Sequence, residues 1–230
     1  MKKMLILVLS VLLVLSCTAM ADPAVITVRG TGVVSLDADT ATINLGVREI
    51  SKDVVEAQAD VNRKIAGVIE KLKEMGIDAS KIHTYSISIY PEYNYDSTSL
   101  SGYSAETSIS IETTDIENVG KYIDAAFESG ANTFSDVSFT ASEMTEESNQ
   151  ALTLAIQQAF DKARVMAQAI GADLGALKSV DEAEYSYADS SALYDKAMAA
   201  EDAGSGTQVY ASPLQVSATV TAQFELESAD

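Results

Sequence analysis

The sequence predicts an α+β fold: a mainly antiparallel sheet built from hairpins, with two long helices and one shorter helix packed on it. Three observations carry this. Several short runs alternate apolar and polar residues, the mark of strands with one wet face. Two long stretches instead step by three and four, the mark of amphipathic helices. The strand runs arrive in pairs between helices rather than in strict strand and helix alternation, which favours antiparallel pairing.

Ile26, Val28, Gly30, Gly32 and Val34 open the pattern, and Ile43, Leu45 and Val47 repeat it after the turn at Asp37-Ala-Asp39. These two strands are expected to form a hairpin, with the glycines marking a bulge or a close approach. From Ser51 the period changes, and Val54, Val61, Ile65, Val68, Leu72 and Met75 fall on one face of a helix. Gly76 stops it in a left-handed cap, behind Lys71 and Lys73, where the helix dipole favours cations.

A second hairpin follows. His83, Tyr85, Ile87 and Ile89 are expected on one face of its first strand, and Tyr103, Ala105, Thr107, Ile109 and Ile111 on one face of its second. Thr114 and Glu117 fit a capping box opening a shorter helix through Phe127. Phe134, Val137 and Phe139 suggest a short strand. A third helix from about Thr145 shows Leu152, Ile156, Ala159, Ala163, Met166 and Ile170 on its core face and ends at Gly171. Residues 181–208, rich in Asp, Glu, Ser, Ala, Gly and Tyr, read as an irregular surface excursion. The last segment, with Val216, Ala218, Val220, Ala222, Phe224 and Leu226 alternating with polar residues, is expected to insert beside an early strand and tie the chain ends together.

The first 21 residues have the layout of a secretory signal: Lys2 and Lys3, an apolar run from Met4 to Leu15, and small residues ending in Ala19-Met-Ala21. The run falls short of the roughly 20 apolar residues that span a bilayer. Val14-Leu-Ser-Cys17 also resembles a lipobox, so Cys17 is a candidate for lipidation, and two processing routes stay open: a soluble exported protein, or one anchored to a membrane through Cys17. Residues 22–230 then form one α+β domain. Cys17 is the sole cysteine, so the folded body has no thiol chemistry.

The chain carries 34 acidic and 15 basic residues, a formal charge of −19; Lys2 and Lys3 leave with the acid-free leader, giving −21. A field of that sign repels phosphate backbones, which argues against nucleic acid as a partner.

The ordered stretches Ile26-Thr-Val-Arg-Gly-Thr-Gly-Val33, Ala41-Thr-Ile-Asn-Leu-Gly-Val47, Leu72-Lys-Glu-Met-Gly-Ile-Asp78, Tyr90-Pro-Glu-Tyr93, Tyr122-Ile-Asp-Ala-Ala-Phe-Glu-Ser-Gly-Ala-Asn132 and Ala163 to Gly175 resemble the SIMPL-domain family of exported proteins. The resemblance implies an α+β fold, residence in the periplasm or outside the cell, a tendency to homo-oligomerise, and for some members a link to oxidative stress defence. It carries no catalytic residue across.

Chemistry is sparse. One histidine, His83, reads as a core or rim residue, and no Gly-x-Ser-x-Gly elbow accompanies it. Asp37-Ala-Asp39 and Asp181-Glu-Ala-Glu184 lack the glycine and terminal glutamate of a calcium loop. Gly30-Thr-Gly32 leads into a strand, so it cradles no phosphate. No catalytic residue, metal site or cofactor is expected. Tyr90, Tyr93, Tyr95 and Tyr103 cluster around the second hairpin's tip and are the candidate self-association contact, because tyrosines bury area at little entropic cost. The expected function is a non-enzymatic exported protein that self-associates and supports the cell envelope, with a role in oxidative stress defence. The alternative is a ligand-binding module or hydrolase using carboxylates and tyrosines on an envelope component.

Overall fold

The computed structural model describes residues 24–94, 99–189 and 206–228, without the side chains of 184–189 and 228. The α+β class is found. Its element order is β1 (Val25–Leu36), β2 (Thr40–Ser51), α1 (Val54–Glu74), β3 (Ile82–Tyr93), β4 (Leu100–Thr113), α2 (Val119–Glu128), β5 (Thr133–Thr140), α3 (Thr145–Ala169), β6 (Ala172–Asp189) and β7 (Leu214–Ser228). The strands form two sheets, ordered β3-β4-β2-β5 and β1-β7-β6. The expected hairpin of β1 and β2 is therefore not made: the short Asp37-Ala-Asp39 turn passes the chain from one sheet to the other. The residues group into two compact units, one of 24–32, Leu152–Tyr185 and 218–228, the other of Val33–Ala151 with the described part of Ser186–Ser217.

In the larger unit, Ile43 pairs with Ile111 and Leu45 with Ile109, and all four are buried. Helix α1 covers this face with Ala57, Val61, Ile65, Val68 and Leu72. Each of its large aliphatic side chains contributes about 1.5–3 kcal/mol by leaving water. The Asp53 carboxylate caps the helix by accepting from the Val55 and Glu56 amides, and Gly76 ends it at φ 100°. Met75 is partly buried against the core, whereas Val54 stands at the rim, 36% exposed.

Helix α2 starts differently from expectation. A short 3-10 turn, Ile116–Asn118, precedes it, and Asp115 in the cap position makes no capping bond. The Asp115 carboxylate instead accepts from the Asn118 amide and, at 2.9 Å, from the Tyr122 hydroxyl. A side-chain clasp thus replaces the capping box.

Just before β5 begins, Asn132 extends its ladder with a side chain. The Asn132 carboxamide accepts from the Arg48 amide at 2.7 Å and donates to the Arg48 carbonyl at 2.8 Å, copying the bond pair of one more strand residue.

In the smaller unit, β7 lies beside β1, as expected for a strand that closes the chain. The Leu226 amide donates to the Ala24 carbonyl and Thr31 meets Thr219, so the two strands run in opposite directions. Val220, Ala222 and Phe224 point inward, with Ile26 and Val28 from β1.

Helix α3 seats on this sheet through Ala155, Ala159, Ala163 and Ala167, each at most 1% exposed. Of the expected core face, Ile156, Met166 and Ile170 are 45%, 47% and 66% exposed and Leu152 is half-buried. The physical reason is close approach. A Cβ built on Gly30 would collide with the Ala155 carbonyl and lie 2.7 Å from the Ala159 nitrogen, so the helix backbone rests on the strand. A seam this tight admits only methyl groups, and the large side chains flank it. The Gln158 amide oxygen accepts from the Thr31 amide at 2.9 Å, and Lys162 donates to the Arg29 carbonyl at 2.9 Å. Two helix side chains thereby occupy polar groups on the free edge of β1.

Strand β6 is a further correction. It runs through Asp189, so 181–189 is strand, although the sequence reads as irregular from 181. Pairing with β7 outweighs its poor strand composition. Tertiary context decides such segments more than local preference does.

Candidate functional site

Strand β3 is one edge of the four-stranded sheet, and its partner β4 lies between it and β2. Ile82 pairs with Ile111 and Thr84 with Ile109, on the helix-covered face. The register then shifts: Ser86 pairs with Ser108 and Ile87 with Thr107, leaving Tyr85 as the extra residue of a bulge. Every residue after it changes side relative to a regular strand. Ile87 and Ile89 consequently lie on the helix side, while His83 lies on the opposite face. The period-two expectation of one shared face for His83, Tyr85, Ile87 and Ile89 is overturned by this single added residue. His83 is exposed.

Beyond the bulge, β3 carries apolar surface into water. Tyr85 is 69% exposed, Ile87 64%, Ile89 42% and Tyr90 64%. Against Ile89 stand Val54, Val55, Gln58, Ala59 and Asn62 from the start of α1, enclosing a groove of about 390 Å³. Val55 is itself 72% exposed. In this groove the Gln58 amide donates to Asn62 at 2.9 Å, while its own carbonyl oxygen is buried without a partner. The sequence signal for this wall was the pair of β-branched residues directly after Asp53, one of which had been assigned to the core face.

The tip tyrosines divide. Pro91 pairs with Tyr103, and Tyr93 follows on that same face, whereas Tyr90 pairs with Ser104 on the other. Beside Tyr90, Arg48 donates to Ser104 at 2.7 Å and to Glu92 at 2.9 Å. Tyr95 and Cys17 lie outside the described residues, as do the rest of 1–23 and 190–205. Glu92 is the only acid in β3, and Arg48 pairs it. In so acidic a protein this is a surface of low charge.

The carboxylates with displaced acidities are held by hydrogen bonds. The Ser142 hydroxyl, then Thr40, keeps Asp39 below the ordinary aspartate value of 3.8. Asn118, then Tyr122, does so for Asp115. The Thr207 hydroxyl at 2.5 Å and amide at 3.0 Å do so for Asp124. Burial first, then the Asp115 bond, raises the Tyr122 phenol. General acids and bases at neutral pH need acidities moved towards 7; these aspartates move the other way and serve as clasps.

Depressed folded values mean that the clasps stabilise the fold above the unfolded values and are lost as pH falls through the folded ones. The melting temperature is expected to hold steady from pH 7 to about 5 and to drop below about 4, with Asp124→Asn blunting the drop. Calorimetry across that range checks it.

Among the described residues no three His, Cys, Asp or Glu side chains gather into a metal-binding group. No helix among them is long and apolar enough to cross a membrane.

The model of the SIMPL family, described as a protein of unknown function (DUF541), matches residues 26–224. The chain belongs to the SIMPL family. Similar proteins include the 26 kDa periplasmic immunogenic protein of Brucella melitensis, 30% identical over 168 residues that cover 70% of this chain and 67% of the relative. The uncharacterized protein YggE of Edwardsiella ictaluri is 28% identical over 161 residues, 69% of this chain and 67% of the relative. YggE of Escherichia coli K12 is 26% identical over 153 residues, 65% and 62% respectively. The structure gives physical roles to residues of the stretches that suggested SIMPL membership: Gly30 seats α3, Tyr122 holds Asp115, Asp124 holds Thr207, and Asn132 extends a ladder.

Proposed function

We propose that the protein works outside the cytoplasm as a non-enzymatic, self-associating component of the cell envelope, with a part in oxidative stress defence. The leader-like N-terminus and a relative named as periplasmic support the location. The stress role rests on the family resemblance alone. One observation carries the assembly: the overhang of β3, where Ile87, Ile89 and the Val54-Val55 wall leave apolar surface open on a strand with a single, paired acid in a strongly acidic molecule. Exposed apolar surface rimmed by polar residues is the usual property of a protein contact. Between copies that each carry many negative charges, a neutral patch is also where repulsion is smallest.

Backbone pairing through this edge is restricted, because the Tyr85 bulge and Pro91 interrupt it. The contact is therefore made by side chains on the helix-facing side. Light scattering of the purified exported protein tests this. The wild type is expected to be an oligomer, Ile87→Lys with Ile89→Lys a monomer of unchanged circular dichroism, and Tyr93→Ala weakened. A wild type that stays monomeric at every concentration removes the assembly.

A further inference from the structure

In the smaller unit a partly enclosed cavity of about 190 Å³ is lined by Ile156 and Phe160 of α3, Gly175, Leu177 and Val180 of β6, and Ala222 and Phe224 of β7. It exists because the alanine seam draws α3 down onto the sheet while leaving the β6 side uncovered. Leu177 and Val180 are 53% and 45% exposed, and Ile156 and Phe160 45% and 44%. Phe160 and Phe224 meet edge to face at 5.7 Å and form one wall. The space matches an engineered apolar cavity of roughly 150 Å³ that takes up benzene, so it holds one ring or a short alkyl segment, not a helix.

The charge beside it is specific. The Arg164 guanidinium lies 5.1 Å from the centre of the Phe160 ring. Its Asp161 partner is 3.4 Å away in an exposed i,i+3 pair, and such pairs are worth little and exchange readily. An alkyl chain with an anionic head is drawn to Arg164.

We propose that this cavity is a binding site for the alkyl segment of an anionic amphiphile, such as a fatty acid, with Arg164 meeting its carboxylate. The inference is independent of the β3 overhang, which lies in the other unit.

Titration calorimetry of the purified exported protein with straight-chain carboxylates from butanoate to dodecanoate tests it. Each added methylene is expected to tighten binding about fourfold until the cavity is filled at roughly six to eight carbons, after which affinity levels off. Arg164→Gln is expected to weaken octanoate about tenfold while leaving octanol unchanged. Leu177→Asp, at an exposed position, is expected to abolish binding of both without lowering the melting temperature. Absence of octanoate binding, tighter binding of octylammonium than of octanoate, or octanoate binding unaffected by Leu177→Asp overturns the proposal. So does a Leu177→Asp variant whose molar mass falls in place of its alkyl binding, since the groove would then be a contact between copies.

Discussion

Gly30→Val is expected to cost about 3 kcal/mol or more and to lower the melting temperature sharply. The cause is backbone against backbone. A Cβ at this position meets the Ala155 carbonyl and the Ala159 nitrogen and methyl, the last two at 2.7 and 2.9 Å, so no rotamer change relieves it. Helix α3 has to lift, and with it go the Gln158 and Lys162 bonds to the edge of β1. Gly67 of α1 gives the contrast. Its Cβ would find only the Ser129 carbonyl, at 3.7 Å, so Gly67→Ala is expected to stabilise by about 0.5–1 kcal/mol through helix preference. Thermal denaturation of both variants checks the pair, and equal effects would contradict the packing described here.

The second large effect is expected from Gly120→Val. A side chain there collides with the Thr207 carbonyl and comes within 3.0 Å of its carbon. Residues 206–210 must then leave α2, Asp124 loses both bonds from Thr207, and Val209 withdraws from the core cluster. The expected loss is about 2 kcal/mol, with proteolytic cleavage near Thr207 at least tenfold faster than in the wild type. Asp124→Ala should reproduce the cleavage with a smaller loss of stability. Mass spectrometry of the fragments locates the cut.

These two glycines mark how far the sequence could be read. Strand β7 was legible because each inward residue is apolar and each outward one polar. Helix α1 was legible because large aliphatic residues supply its stripe. For α3 the same rule misled in part: Ala159 and Ala163 of the expected face are buried and the β1 glycines do mark a close approach, but periodicity weights Ile156, Met166 and Ile170 above alanines, and nothing in either segment alone shows that the glycine's partner is this helix. Strand β6 has too little alternation to be recognised, and its structure comes from a partner some forty residues away in the chain.

The site was legible only in part. The tyrosine-rich hairpin was identified, but the bulge at Tyr85 is a matter of register with β4, and register does not show in the composition of one strand. The apolar residues that matter most, Ile87 and Ile89, were therefore placed beside the wrong neighbours. Similarly, Asp115 and Asp124 were visible as acids, while their partners Tyr122 and Thr207 become partners only once α2 has formed.

The interruptions in β3 also bear on what the molecule avoids. Amyloid growth through a steric zipper recruits about six or seven uninterrupted, low-charge, β-prone residues. Between Tyr85 and Pro91, β3 offers only Ser86 to Tyr90. A segment of isoleucine, serine and tyrosine that would otherwise template fibrils is kept one or two residues too short, so the protein can expose it without polymerising end over end.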